Sequence, residues 1–254
     1  MENREFYIDK DGFQIHAKLD FPVIQKEKMP LVILVHGLTG HMEERHIIQM
    51  AKTATEAGYV CLRVEMYGHG KTDGKFCNHN VAQWVLDLAY VIDYARSLPF
   101  VSDIYLSGHS QGGLTVMLTA ALKGDQIKGI MPLSPAIIIV DMCRKGFFFD
   151  KQFDPEHLPE EIHAWPDKYV TANYARIGRT LPIEEAIAGY HGPVLLVHGT
   201  DDESVPVEYS IEADKKYDHS KLVLIQDDTH CFDRHLDQAA EAVKQWLEEQ
   251  NGIF

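Results

Sequence analysis

Three kinds of residue that could cooperate in covalent catalysis each sit just past a short apolar run. They are Ser110, the neighbouring acids Asp201 and Asp202, and His230. The serine lies in Gly108-His109-Ser110-Gln111-Gly112, a G-x-S-x-G pattern followed by Gly113. A serine hydroxyl is a weak nucleophile at neutral pH. It attacks a carbonyl carbon only with a base in hydrogen-bond reach, and the base needs a group to orient it. The tetrahedral intermediate then needs two donors aimed at its oxygen. The backbone N–H of Gln111, next after the serine, is one candidate. The N–H of Leu38, in the stretch His36-Gly37-Leu38, is the other.

The surrounding elements decide whether these residues can meet. Ile104-Tyr105-Leu106 reads as a strand, and Leu114, Met117, Leu118 and Ala121 share one helical face. Strand, G-x-S-x-G and helix together make the sharp turn that projects a nucleophile; small residues two positions either side of the serine let the backbone fold that tightly. Leu31-Val32-Ile33-Leu34-Val35 is continuously apolar, as a strand buried on both faces must be. Glu5–Ile8 and Phe13–Leu19 flank Asp11-Gly12, a hairpin dipeptide. Further strands are expected at 59–64, 127–133, 193–198 and 222–225, with helices over about 43–57, 81–95, 206–217 and from Leu236 onward. Strands alternating with helices imply α/β architecture, a mostly parallel central sheet with helices on both faces. Ser110, Asp202 and His230 all fall beyond the C-terminal ends of expected strands, where open α/β sheets bind ligands.

The alternation breaks between Pro135 and about Tyr190. This stretch holds Phe147-Phe148-Phe149, Trp165, Tyr169 and Tyr174, interrupted by Pro155, Pro159, Pro166 and Pro182. Plain connections in such folds run about 2–6 residues. A single domain over residues 1–254 is therefore expected, carrying a small inserted cap at about 136–185.

The 254 residues are 45% hydrophobic and 24% charged, with net charge −14. So acidic a chain is a poor partner for nucleic acid or an anionic membrane. No apolar run reaches the roughly 18 residues of a membrane span. The first ten residues lack the apolar centre of a signal peptide. Cys61, Cys77, Cys143 and Cys231 show no metal or C-x-x-C spacing. Reduced thiols and a cytoplasmic setting are the expectation. No cofactor is implied, and the expected partner is a small-molecule substrate.

From His36-Gly37 through His230, the pattern resembles the serine hydrolases of the α/β-hydrolase fold. Longer stretches resemble the bacterial cinnamoyl and feruloyl esterases: residues 37–46, 66–71, 108–113, 132–136 and Asp228-Thr229-His230-Cys231. In such hydrolases the chain order is Ser, then Asp or Glu, then His. That order disfavours His36, His69, His109 and His198 as the base and leaves His230, with His235 expected inside the last helix. His36 and His109 are read as framework residues holding loops. Gly199-Thr200-Asp201-Asp202-Glu203-Ser204-Val205-Pro206 fits the G-x-x-D-x-x-V-P seen at the acid loop, which favours Asp202 over Asp201 and Glu203.

The resemblance implies hydrolysis of ferulic, coumaric and caffeic esters, including those on plant cell-wall sugars, without a cofactor. It also implies that cap residues meet the phenolic ring: Trp165 and Tyr174 first, Asp141 after them. A general carboxylesterase, a monoacylglycerol lipase and an acyl-peptide hydrolase would share the same triad, and a non-catalytic binding module could share the fold.

Overall fold

A computed structural model describes residues 2–252. The chain opens with β1 (Asn3–Lys10) and β2 (Phe13–Asp20), then β3 (Met29–Val35), α1 (Arg45–Glu56), β4 (Val60–Val64) and α2 (Val81–Ser97). The strand β5 (Val101–His109) runs into α3 (Gln111–Lys123), and β6 (Gly129–Leu133) follows. An insertion comes next: α4 (Ile138–Lys145), β7 (Phe147–Phe148), β8 (Lys151–Gln152), β9 (Glu161–Ile162), β10 (Val170–Thr171), α5 (Ala172–Gly178) and α6 (Ile183–Gly189). The chain closes with β11 (Val194–Gly199), α7 (Glu208–Asp214), β12 (Ser220–Ile225) and α8 (Leu236–Gln250).

Eight strands form one sheet in the order β1-β2-β4-β3-β5-β6-β11-β12. The β1–β2 and β2–β4 pairs are antiparallel and every other pair is parallel. The first hairpin closes with Lys10 opposite Phe13, so its loop is Asp11-Gly12, both at positive φ. That is the left-handed geometry an Asp-Gly pair tolerates best. The sheet is covered on both faces, which explains the unbroken apolar run of β3. Leu31, Ile33 and Val35 join the core under α2 and α3, while Val32 and Leu34 join the one under α1 and α8. The i, i+3, i+4, i+7 stripe Ile47, Met50, Ala51, Ala54 buries α1 against Ala239, Val243 and Trp246 of α8. Burial of a side chain the size of Ile47 or Met50 contributes roughly 1.5–3 kcal/mol. No helix among the described residues is long and apolar enough to cross a membrane.

The insertion joins neither sheet face as a simple helix crossover. Among the described residues, its two-residue strands pair only with each other, β7 with β8 and β9 with β10. It leaves the main sheet after β6 and returns at β11, the strand beside β6.

Candidate active site

Ser110 stands between β5 and α3 with φ 56° and ψ −120°. Such a conformation costs a non-glycine residue on the order of 1–3 kcal/mol. Hydrogen bonds hold it there: Ser110 N–H donates to Leu133 O at 2.9 Å, and Ser110 O accepts from Ala136 at 2.9 Å and Leu114 at 3.1 Å. The flanking glycines are sterically required. A Cβ on Gly108 would lie 2.4 Å from Gly112 O, and one on Gly112 would lie 2.4 Å from His36 O and 2.5 Å from Val35 O. These obstacles are backbone atoms that cannot step aside. Gly112→Ala is therefore expected to destabilise the fold by about 3 kcal/mol, lowering Tm by roughly 6–12 °C. A thermal melt checks it, and a wild-type Tm would contradict the packing described.

The acid loop follows β11 and the histidine loop follows β12. Gly199 brings them together, since a Cβ there would stand 2.4 Å from Asp228 O. Asp201 N–H donates to that same carbonyl at 2.8 Å. The buried Asp228 carboxylate organises the histidine loop by accepting the N–H groups of Thr229 (2.8 Å), Arg234 (3.0 Å) and His235 (3.1 Å). Within this frame His230 Nδ1 lies 2.7 Å from Asp202 Oδ2, which fixes Nδ1 as the protonated nitrogen. Nε2 is the ring nitrogen left for the cavity that both Ser110 and His230 line.

Asp202 is heavily solvated by the protein. Its Oδ1 accepts the N–H groups of Ser204 and Val205, each at 2.8 Å. Its Oδ2 is shared between His230 and Nε2 of the fully buried His198 at 3.0 Å. The same Nε2 lies 3.0 Å from Val205 O, so it faces two acceptors and carries a hydrogen, while Nδ1 meets the Ser210 hydroxyl at 2.7 Å. Burial pushes the Asp202 carboxyl up. The hydrogen bonds from His198, His230 and the Val205 N–H, with the charge of His230, outweigh it and hold the group well below the usual carboxylate range. Asp201 points elsewhere and pairs with Arg234 at 2.6 Å. His235 caps the start of α8.

Three other histidines are framework. His36, buried, donates from Nδ1 to Gly37 O at 2.7 Å and accepts Met66 N–H on Nε2 at 3.0 Å. His69 donates from Nδ1 to Tyr67 O at 3.0 Å and accepts Thr39 N–H at 3.3 Å. Burial drives the His36 pKa well down and that of His69 to about 4, so both rings stay neutral and keep these tautomers. Together they pin the loop of Leu38 from two sides. His109 Nε2–H donates to His230 O at 2.8 Å, fixing the main chain of that loop. Burial, then the nearby His46 and His230, hold its pKa well below the ordinary value.

A cavity of about 240 Å³ unites these parts. Leu38, Ser110, Gln111 and His230 line it, as does Trp165. Gln111 is the first residue of α3, so its N–H has no acceptor within the helix. Among the described residues, the Leu38 N–H enters no backbone hydrogen bond. Trp165 packs edge-on to Phe148 at 5.7 Å and tilts against Phe149 at 5.3 Å. Tyr174 lies behind the wall rather than in it. Its buried hydroxyl donates to Gln111 Oε1 at 2.7 Å, and its ring meets Phe148 at 5.2 Å. Asp141 is also outside this cavity. Ile138, Ile139 and Met142 turn one side of α4 to the serine, while Asp141 lies in a second groove of about 470 Å³. There it accepts from the Tyr209 hydroxyl at 2.8 Å and Lys145 Nζ at 2.9 Å.

The sequence assigns His198 nothing beyond setting it aside as the base, and gives no role to Glu44 or to Ile138, Ile139 and Met142 of α4. His198, four residues before Asp202 at the end of its strand, had a positional signal. The α4 face had one too, in the i, i+1, i+4 spacing of Ile138, Ile139 and Met142.

A family model described as serine aminopeptidase, S33 matches residues 26–155. The chain belongs to this α/β-hydrolase family. Est1E from Butyrivibrio proteoclasticus, solved with ferulic acid bound, is 48% identical over 97% of this chain and 99% of that one, with TM-score 0.95. A second structure of Est1E aligns at 45% identity and TM-score 0.91, covering 98% and 99% of the two chains. Human ABHD12B is 23% identical over 71% of this chain, and rat palmitoyl-protein thioesterase ABHD10, mitochondrial, is 24% identical over 74%. The chain spans 48% of the length of the first and 63% of the second. At that identity the likeness is one of fold.

Proposed function

We propose that this hydrolase cleaves hydroxycinnamic esters by way of an acyl-enzyme on Ser110, with His230 as base, Asp202 as its orienting acid and the N–H groups of Leu38 and Gln111 as oxyanion donors. The observation that carries the reading is the cavity itself. A serine and a carboxylate-oriented histidine open onto an apolar slot of Ile138, Ile139, Met142, Phe148, Phe149 and Trp165. Such a slot accepts a flat aromatic acyl group. A chain 48% identical to this one has been solved with ferulic acid bound, which supports the same acyl class.

In this mechanism Ser110 Oγ attacks the ester carbonyl carbon as its proton passes to His230 Nε2. The oxyanion forms against the Leu38 and Gln111 N–H groups. Its collapse breaks the ester C–O bond, and His230 hands its proton to the departing alkoxide. Water then attacks the acyl-enzyme while His230 takes its proton. The second collapse frees the acid, and the proton returns to Ser110. Asp202 stays ionised throughout and stabilises the imidazolium.

Trp165 is proposed as a wall for the phenolic ring, and the insertion as the cap that sets acyl preference. Tyr174 acts on the site through Gln111, and Asp141 through the back of α4. Cell-wall sugar esters as natural substrates, and a cytoplasmic setting, belong to the same proposal.

A kcat/KM panel over hydroxycinnamate, benzoate and short aliphatic esters and an acyl-peptide tests it. Methyl ferulate is expected to lead the panel. Trp165→Ala should lower kcat/KM on it by about tenfold, and by much less on an acetate ester. An aliphatic ester or acyl-peptide leading the panel would transfer the site to a general carboxylesterase, a monoacylglycerol lipase or an acyl-peptide hydrolase.

A further inference from the structure

The cavity has two unlike walls. The insertion contributes apolar side chains, whereas the wall beside the Leu38 loop and His230 carries Thr39, Glu44 and Cys231. Glu44 is the one Asp, Glu, Lys or Arg lining it among the described residues. The leaving oxygen must take its proton from His230, so the alcohol departs on the His230 side. Glu44 belongs to that side by several observations. Arg45, its neighbour, donates to Phe232 O at 2.9 Å and pairs with Asp233 at 3.3 Å, tying the start of α1 to the histidine loop. Glu44, His230 and Cys231 line the same cavity, and burial, the largest effect on the Glu44 carboxyl, pushes its pKa up against the pull of the His41 N–H.

The carboxylate is only partly used by the protein. Oε2 accepts His41 N–H at a long 3.3 Å and lies 3.8 Å from His46 Nε2. Oε1 enters no hydrogen bond among the described residues. The side chain is 28% exposed, so water or a bound alcohol can reach it.

We propose that Glu44 selects the leaving alcohol. Its carboxylate accepts hydrogen bonds from the hydroxyls of a polyhydroxylated alcohol, such as a sugar, and disfavours alcohols that bear negative charge. This deepens the esterase reading and rests on it. A carboxylate facing a half-dry cavity forms charge-assisted hydrogen bonds stronger than neutral ones. An anionic alcohol would instead meet like charge at close range.

The test holds the acyl group constant and varies the alcohol. The readout is the ratio of kcat/KM for an arabinosyl ester to that for the methyl ester of the same acid. Glu44→Ala is expected to lower the ratio roughly tenfold, and Glu44→Gln by a smaller factor. Glu44→Gln should also raise the quinate ester, whose alcohol carries a carboxylate, relative to the methyl ester. A purely structural Glu44 that holds its loop through the His41 N–H would depress all esters together. Unchanged ratios in both variants therefore overturn the proposal, whatever the absolute rates.

The wild-type enzyme gives a second measurement that depends on no variant folding. Replacing the sugar by a cyclic alcohol of the same size with no hydroxyl besides the esterified one should cost about tenfold in kcat/KM; equal rates overturn the proposal. If the enzyme turns over no hydroxycinnamate, the acyl reading has failed separately. The same alcohol pairs are then compared on the acyl group that leads the panel.

Discussion

Ser110→Ala is expected to lower kcat on an activated aryl ester by on the order of 10⁶-fold, with little change in the fold. The size follows from the loss of the only atom that forms the acyl bond. His230 and the N–H groups of Leu38 and Gln111 would remain, so water attack assisted by them sets the residual rate. Alanine also removes no hydrogen bond that holds the turn, since those recorded at Ser110 use its backbone N–H and carbonyl. A melting curve near wild type together with lost turnover separates chemistry from folding. Wild-type turnover in this variant would remove Ser110 from the mechanism.

Asp202→Asn is expected to cost about 10⁴-fold in kcat. Oδ2 serves His230 and His198 at once, and Oδ1 serves two backbone N–H groups. An amide presents a donor where one of those donors already points, so the His230 tautomer is lost and a buried clash of hydrogens appears. The variant should also behave differently in acid. The native Asp202 carboxyl sits well below its unfolded value because, against burial, the hydrogen bonds from His198 and His230 and the nearby His230 charge favour the ionised form. A depressed carboxyl contributes stability that is present above the unfolded value of about 3.9 and drains away as pH falls through the native one. The Tm gap between wild type and Asp202→Asn should therefore be widest near neutral pH and shrink below about pH 4. A gap independent of pH would mean that Asp202 is not held in that depressed state.

Much of the framework was legible because it rests on periodicity and on obligatory small residues. The expected α1 over 43–57 is found at Arg45–Glu56, and the Asp11-Gly12 loop closes β1 on β2. The strand before the serine is longer than its apolar core of 104–106, reaching from Val101 to His109, because its ends are held by pairing with β3 and β6 rather than by hydrophobicity. The helix expected over 206–217 shortens to Glu208–Asp214.

The insertion was far less legible. Its strands are two residues long, too short for any alternation to register, and Phe149 turns a hairpin at φ 53°, where bulky residues are rare. Composition singled out its aromatics but could not rank them. Trp165 lines the cavity, whereas Tyr174 lies one layer behind it, bonded to Gln111. Asp141 depends on helix phase alone: Ile138, Ile139 and Met142 take one side of α4, and Asp141 lines the other groove. The helix phase over Ile138–Lys145 is what separates them. His198 shows the opposite difficulty. Its position was visible, but its bond to Asp202 depends on the turn of the acid loop, which local sequence does not encode.

The claim on which the rest depends is a hydroxycinnamoyl ester formed on Ser110. Rapid mixing of enzyme with excess methyl ferulate, acid quenching and peptide mass spectrometry tests it directly. The expected result is one feruloyl increment on the peptide that holds Ser110, appearing before steady state and absent in Ser110→Ala. Turnover with no adduct on that peptide, or an adduct on another residue, would contradict it.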